Sequence, residues 1–363
     1  MSEPKSELSQ AHVNSGLVMT VNGPVAASEI GITLMHEHLN NDCSCWWNPP
    51  SDPARDYLVD APITPEIYSE LLQDPFVNRA NLGVDEPEVV AKELGYFTRQ
   101  GGCTVIDPTC RGIGRDPKVL RQIAKDAGVN IVMGAGYYLG TSLPDYFHDL
   151  SVEDIANQIV QEATVGVDGT DAKIGLIGEI GVGSDFTAAE EKSLRGAAQA
   201  QARTGLPLMV HLPAWFRVAH KVLDICEAEG ADLKHTILCH MNPSWADRTY
   251  QHELAARGAF IEYDMLGNLF YYADQDVDCP ADADSARAIQ GLIEAGYSRQ
   301  ILLSHDVFLK CMLRHYGGNG YGFVNAHFLP RLKRLGLDPA LVDSLMVVNP
   351  RRVFDARFAA QEN

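Results

Sequence analysis

The hydrophobic pattern of the chain repeats. From residue 31 onward, short apolar, β-rich runs end in a polar or turn residue and are followed by stretches of helical periodicity. Eight such runs can be read: ITLMHEH (32–38), CTVIDPT (103–109), NIVMGAGYY (130–138), IGLIGEIG (174–181), PLMVHLP (207–213), TILCHMN (236–242), AFIEYDML (259–266) and QILLSHDVF (300–308). Amphipathic segments such as PKVLRQIAKDAG and EEKSLRGAAQAQARTG lie between most of them. Three of these segments close on a helix-terminating glycine just before the next run. Ahead of the repeat, SGLVMTVNGPVAASEIG holds two short strand-like runs around Asn22-Gly23, which predicts an N-terminal β-hairpin over residues 16–30.

Strands that are apolar throughout are buried on both faces, as in a parallel sheet covered by helices. Eight βα units in succession therefore predict an α/β protein built as a closed (β/α)₈ TIM barrel. A doubly wound open sheet is the rival. It fits less well because no glycine-rich nucleotide turn follows the early strands. Polar residues also gather at the C-terminal ends of the strands, the face on which such barrels carry their chemistry. Two connections are long. Residues 39–102 are expected to hold two helices, and residues 307–330 include HYGGNGYGF, which reads equally as a mobile lid or a plain surface loop. No linker or low-complexity segment interrupts the chain, so residues 16–363 read as a single domain and residues 1–15 as a disordered or extended tail.

The composition, 46% hydrophobic and 21% charged over 363 residues, is that of an ordinary soluble protein. The polar first fifteen residues carry no signal-peptide pattern, and no apolar run reaches membrane-spanning length, so a soluble, cytoplasmic protein is expected. A formal net charge of −19 argues against nucleic acid or an anionic membrane as partner. It leaves room for a small-molecule substrate, because a few metal ions reverse the local sign. The eight cysteines show no C-x-x-C pair. Cys103, Cys110 and Cys239 fall in apolar strand-like segments and read as buried thiols, while Cys43 and Cys45, which follow a His-rich motif, are the long-odds candidates for soft metal ligands.

The strand ends carry the chemistry. His36 and His38 stand two apart in TLMHEHL, so on a strand both would face the barrel mouth while Glu37 points away. Glu179 ends the fourth run, His211 the fifth, His240 the sixth and Asp306 the eighth. A lone histidine ending an apolar strand is usually a hydrogen-bonded core residue. Four histidines and two carboxylates on one rim are the ligand set of zinc and similar divalent ions. Six ligands exceed one tetrahedral site and suit two metals that share a bridging carboxylate. Strand order assigns His36, His38 and Asp306 to one ion and His211 and His240 to the other, with Glu179 and a hydroxide bridging. Lys173 cannot take the bridging place, since it lies six residues earlier, roughly 20 Å away at strand rise.

These segments, together with RGIGRD (111–116) and VVNPRRVF (347–354), resemble the phosphotriesterase-related branch of the amidohydrolase superfamily from about residue 15 to residue 355. The resemblance implies a binuclear-metal barrel hydrolase, usually a homodimer, whose two divalent ions are zinc, with manganese as the alternative. The same six residues match its ligand positions: His36, His38, Glu179, His211, His240 and Asp306. Two departures stand out. Phosphotriesterases bridge with a carboxylated lysine where this chain has Glu179, and they follow the strand-seven aspartate with a proton-shuttling histidine where this chain has Met265.

The resulting expectation is hydrolysis of a carboxylic ester or lactone by the bridging hydroxide, with Asp306 accepting its proton and passing it to the leaving group. N-acyl amide or phosphotriester hydrolysis is the alternative. A small-molecule binding protein without turnover is the alternative of another class. Tyr138, Asp264, Lys310 and Arg217 are the candidate substrate contacts, with Arg314 beside them; Asp264 reads equally as steadying the mouth, and plain surface charge is the preferred reading of Lys310, Arg314 and Arg217. Arg111 and Arg115 are read as braces of the third loop. Trp46 and Trp47 line the entrance or pack the first loop, His305 is structural, and Tyr137 packs outside the barrel.

Overall fold

The structure, a computed structural model, describes residues 16–355; the tail expected over residues 1–15 lies outside the described residues. Leu17–Thr20 (β1) and Gly23–Ala26 (β2) form the antiparallel hairpin, with Thr20 opposite Gly23. The two-residue turn is thus Val21-Asn22, one position earlier than Asn22-Gly23. The Thr20 hydroxyl donates to the Gly23 carbonyl at 2.7 Å and accepts from the Asn22 N–H at 3.2 Å, which closes the turn.

The barrel starts with Ile32–Leu34 (β3). The long first connection holds a two-stranded ribbon, Asn41–Asp42 (β4) with Gly83–Val84 (β5), and the two expected helices, Pro65–Gln73 (α1) and Pro87–Thr98 (α2). There follow Gly102–Asp107 (β6), Pro117–Ala127 (α3), Asn130–Met133 (β7), Val152–Thr164 (α4), Ile177–Gly181 (β8) and Ala188–Thr204 (α5). Leu208–His211 (β9), Ala219–Ala228 (α6), Thr236–Leu238 (β10), Arg248–Ala256 (α7) and Phe260–Tyr263 (β11) continue the alternation. A small ribbon that the pattern did not predict, Tyr271–Tyr272 (β12) with Val277–Asp278 (β13), precedes Asp282–Glu294 (α8) and Ile301–Leu303 (β14). Leu329–Arg334 (α9) and Pro339–Phe354 (α10) end the described chain. Gly128 and Gly205, at φ 69° and 71°, cap α3 and α5 in the left-handed conformation that glycine adopts without strain.

Parallel ladders join β3, β6 and β7 on one side and β8, β9, β10, β11 and β14 on the other. The barrel closes through two irregular seams. Between β7 and β8, Gly175, Gly178 and Gly181 donate to the carbonyls of Met133, Ala135 and Tyr137 at 3.1, 2.6 and 3.1 Å. Between β14 and β3, Asp306 donates to the His36 carbonyl and His38 to the Val307 carbonyl, both at 3.1 Å.

Side chains alternate by strand pleat into two cores. Met35, Ile106, Val132, Leu176, Met209, Ile237 and Leu302 fill the interior, while neighbours such as Val105, Ile131, Val210, Leu238 and Leu303 pack against the helices. Val18 of the hairpin and Val353 and Phe354 of α10 join the inner cluster and plug the barrel floor. Asn349 fixes α10 there by donating to the carbonyls of Ile301 and Ser298 at 2.7 and 2.8 Å, so VVNPRRVF is a scaffold motif. HYGGNGYGF is packed down: Tyr321 is fully buried, and its hydroxyl donates to the His38 carbonyl at 3.0 Å. That favours the plain loop over the lid.

RGIGRD acts as the expected brace. Arg111 and Arg115 donate to the Glu162 carboxylate of α4 at 2.6 and 2.8 Å, with Arg115 and Glu162 almost wholly buried. Burial alone would raise the Glu162 pKa, but the two guanidiniums outweigh it and hold the carboxyl below its usual 4.5. Such a group stabilises the fold fully above its unfolded pKa, and that contribution fades as pH falls through the lower folded value. Glu162→Gln should therefore lose about 2–3 kcal/mol at neutral pH, because it leaves the two guanidiniums only the half-exposed Asp168 as counter-charge. In urea unfolding the gap from the parent protein should narrow below pH 4.5; a gap that does not change with pH would mean the charge pairing is not what Glu162 contributes.

Candidate metal centre

The structure brings all six predicted ligands to one point at the barrel mouth. Glu179, 2% exposed, is at its centre. Its Oε2 lies 3.2 Å from His211 Nδ1 and 3.5 Å from both His36 Nε2 and His240 Nε2, and its Oε1 lies 3.4 Å from His38 Nε2. Asp306 Oδ1 is 3.6 Å from His36 Nε2 and 3.5 Å from His38 Nε2. Among the described residues three groups have ligand atoms close enough to share one ion: His36, His38 and Asp306, as strand order assigned; His36, Glu179 and His240, which crosses that assignment; and His36, Cys239, Glu262 and Asp264, behind the His36 ring.

Regular strand geometry delivers only part of this. β3 ends at Leu34, so His36 and His38 project from a bent stretch beyond the strand. Glu37 does point away, as expected. It accepts from the backbone N–H groups of His305 and Val307, both at 3.0 Å, and from the Ser304 hydroxyl at 2.8 Å. β10 ends at Leu238, and His240 turns inward through a positive φ of 56°, a conformation a non-glycine residue holds only at a cost of order 1 kcal/mol. Both Asp264 oxygens grip its N–H, at 2.9 and 3.1 Å, and hold that turn. Asp306 has φ 53°, with its N–H held by the His36 carbonyl. At β8 the pairing with β9 slips between Ile177 and Ile180, and Glu179 stands in the slip. The glycines beside it serve close backbone contact between strands. A Cβ on Gly178 would lie 2.2 Å from the Met209 carbonyl oxygen, and one on Gly181 would lie 2.3 Å from the backbone of Tyr138.

A second layer orients the rings. His36 Nδ1 faces Glu262 at 3.3 Å and Asp264 at 3.4 Å, His240 Nδ1 faces Asp264 at 3.1 Å, and His38 Nδ1 meets the Thr109 hydroxyl at 2.8 Å. All three therefore present Nε2 to the centre, the arrangement metal-binding histidines adopt when an outer acceptor fixes the tautomer. His36 Nε2 is fully buried and has no hydrogen-bond partner, although carboxylate oxygens flank it. An orphaned ring nitrogen aimed into a nest of carboxylates is what a divalent ion would satisfy. The residues fit a metal centre.

The electrostatics agree with that fit. Burial opposes ionisation of Glu179, but the surrounding imidazoles, His36 foremost, bring its pKa well below the usual carboxylate range. Burial lowers the pKa of His240, yet Asp264, Glu179 and Asp306 together raise it well above the usual 6.5. Burial likewise opposes charging of His38, while Asp306 and Glu179 lift it to about 9. Burial pushes Glu262 up to about 7 against the pull of His36. The pocket thus demands positive charge, which protons or metal ions can supply.

The centre opens onto a cavity of about 770 Å³. Tyr138 lines it, with its hydroxyl 3.4 Å from His211 Nδ1 and accepting from Trp46 Nε1 at 3.3 Å. Trp46 lines it too, whereas Trp47 packs the first loop by donating to the Val77 carbonyl. Met265 is on the wall.

Three of the candidate substrate contacts do not line the cavity. Asp264 is fully buried with its oxygens turned to His240 and His36, so it positions ligands and does not meet the cavity. Lys310 is drawn to Asp85 at 2.6 Å. Arg217 faces Asp247 at 3.5 Å and covers the Tyr250 ring. Both basic residues sit at the catalytic end but off the cavity wall, as does Arg314, which lies over Tyr96. Tyr137 and His305 are structural, as read: Tyr137 donates to Gln158 of α4 at 2.5 Å, and His305 Nε2 accepts from the Val324 N–H. Cys43 and Cys45 both line the cavity, but neither joins a group able to hold a metal. Sequence reasoning missed Glu262 and Thr109. The spacing of Glu262 and Asp264 in EYD, two apart at a strand end, was the available signal.

The profile of the phosphotriesterase family matches residues 16–354. A phosphotriesterase-related protein of Nematostella vectensis is 34% identical over 344 residues, 93% of this chain and 98% of that protein. The N-acetyltaurine hydrolase of Xenopus tropicalis is 35% identical over 342 residues, 93% of this chain and 97% of that protein. The crystal structure of a resiniferatoxin-binding protein from Rhodobacter sphaeroides is similar at a TM-score of 0.96 and 64% identity, over 97% of this chain and 99% of that one. With nearly its whole length matched in sequence and in fold, the chain belongs to the phosphotriesterase family.

Proposed function

We propose that this barrel is a metal-dependent hydrolase that cleaves a carboxylic ester or lactone, with two divalent ions held by His36, His38, Glu179, His211, His240 and Asp306. The observation that carries the reading is the Glu179 carboxylate within 3.2–3.5 Å of four imidazole nitrogens beside a large cavity. Zinc or manganese bound there would supply Lewis acidity for the reacting oxygen and make water acidic enough to attack near neutral pH.

The chain's own residues do the rest. Asp306 reaches the cavity wall and is the group placed to take a proton from the attacking water and return it to the leaving group. Its backbone is fixed through the His36 carbonyl, so the acceptor and a ligand move together. Asp264 holds His240 in ring and backbone, and Thr109 does the same for the His38 ring. Met265 stands where a phosphotriesterase has its shuttle histidine, which leaves Asp306 to carry the proton and favours an alkoxide leaving group.

Amide hydrolysis is the second reading, because relatives at about one-third identity are named N-acetyltaurine hydrolases. Against that particular substrate, no lysine or arginine among the described residues lines the cavity to meet a sulfonate. A rival of another class, binding without turnover, draws on the likeness to a resiniferatoxin-binding protein. Purified protein reconstituted with zinc or manganese should hydrolyse some member of an ester, lactone and N-acyl panel. No turnover across that panel, with both metals confirmed bound, would decide for the binder.

Two variants test the centre itself. Glu179→Ala should retain at most one metal equivalent after dialysis, measured by plasma mass spectrometry, and reconstitution of the parent protein should not depend on bicarbonate. Two full equivalents in the variant would remove Glu179 from the bridge. Asp264→Asn should bind metal roughly 10- to 100-fold more weakly while its circular dichroism stays native. An unchanged affinity would show that the His240 ring needs no such support.

A further inference from the structure

We infer that the substrate of this site presents a flat apolar ring to the cavity wall and carries no anionic group on that ring or between it and the bond that is cleaved. The inference rests on the hydrolase reading for where that bond sits, and on the wall for everything else.

The wall is a chain of ring contacts. Trp46 lies 5.5 Å from Phe76 with their planes 19° apart, Phe76 lies 5.3 Å from Tyr272, and Tyr272 lies 5.5 Å from Trp215. Phe308 flanks Phe76 at 6.4 Å. The chain reaches the candidate ligands through Trp46, 6.5 Å from the His211 ring. All five side chains line the cavity. They come from loops one, five, seven and eight, and the unpredicted β12–β13 ribbon delivers Tyr272. Rings packed against one another have little freedom to rearrange, so the wall is preformed, and an aromatic guest stacks on it at small entropic cost.

The charges on that wall are of one sign. Asp185, Glu190 and Asp274 line the cavity beyond the candidate ligands, and no lysine or arginine does so among the described residues. Nearby cations are turned to other partners: Lys310 to Asp85, Arg217 to Asp247, and Lys221 to the Phe186 ring at 4.1 Å. Metal ions would place positive charge at the cavity floor, where the reacting oxygen goes. An anionic group a few bonds away would instead meet carboxylates and ring faces, whose quadrupole is also negative. The net charge of −19 makes the approach of an anion unfavourable as well.

The test uses the metal-loaded protein and matched pairs: methyl phenylacetate against its para-sulfonated form for turnover, and the ketone isosteres of both, 1-phenylbutan-2-one and its para-sulfonated form, for binding by calorimetry. The neutral member should win by about 100-fold or more in kcat/KM and in affinity. Asp274→Lys should move the sulfonate-to-neutral ratio upward by roughly 10-fold in both measurements. Equal or tighter binding of the sulfonated ketone, or a ratio unmoved in Asp274→Lys, would overturn the inference. Binding is read without turnover, so an inactive protein that still prefers the neutral ketone would defeat the hydrolase reading and leave this one standing.

Discussion

A carboxylate with almost no access to water is tolerable only where positive charge surrounds it, and Glu179 is placed under that constraint by its own strand. Four imidazole nitrogens within 3.5 Å answer it. They come from β9 and from the stretches that follow β3 and β10, so the requirement of one side chain is met only when the barrel has closed. The imidazoles in turn require acceptors behind them, and Glu262, Asp264 and Thr109 provide these. The centre is therefore a shell of charges around a shell of rings around one acid. Removing any layer exposes the next to an uncompensated burial cost.

The backbone bends to serve this shell. His240 and Asp306 occupy left-handed conformations, and each has its N–H captured by a residue of the same centre. The two seams where the strand ladders break are also where Glu179, His36 and His38 stand. A regular ladder sends successive side chains to alternate faces, so it cannot deliver both His36 and His38 beside Met35, which already points inward. Breaking the ladder at the catalytic end frees the ligands from that alternation, while the strands below keep it and pack the core. Stability and chemistry are separated along each strand.

The motifs that carry the family resemblance divide in the same way. HEH, GEIG, VH, CH and SHD deliver the candidate ligands. RGIGRD fastens the second loop to α4 through Glu162, and VVNPRRVF seals the floor through Asn349, Val353 and Phe354. Neither of the last two touches the cavity, and each serves only to hold the chemical segments in register. The cavity wall follows neither pattern. It is assembled from loops, in which the chain's distinctive substrate preference is most readily written.

The amino-acid sequence by itself determined the barrel, its hairpin and the six converging candidate ligands, because both signals are local. An apolar run buried on both faces is legible from its own residues, and a histidine or acid at the end of such a run stands out against it. It also anticipated the structural parts of His305, Tyr137 and the two arginines of RGIGRD. Only the tertiary structure decided where long, flexible charged side chains point. Lys310, Arg217 and Arg314 sit at the catalytic end, as their positions imply, yet partners distant in the chain or across loops draw them off the wall. Asp264 looked like a mouth residue until His240 was found to consume both of its oxygens. The aromatic chain from Trp46 to Trp215 joins rings more than 160 positions apart, and no periodicity records a contact of that kind. Strand chemistry is fixed by neighbours in sequence, whereas the wall of a cavity is fixed by neighbours in space.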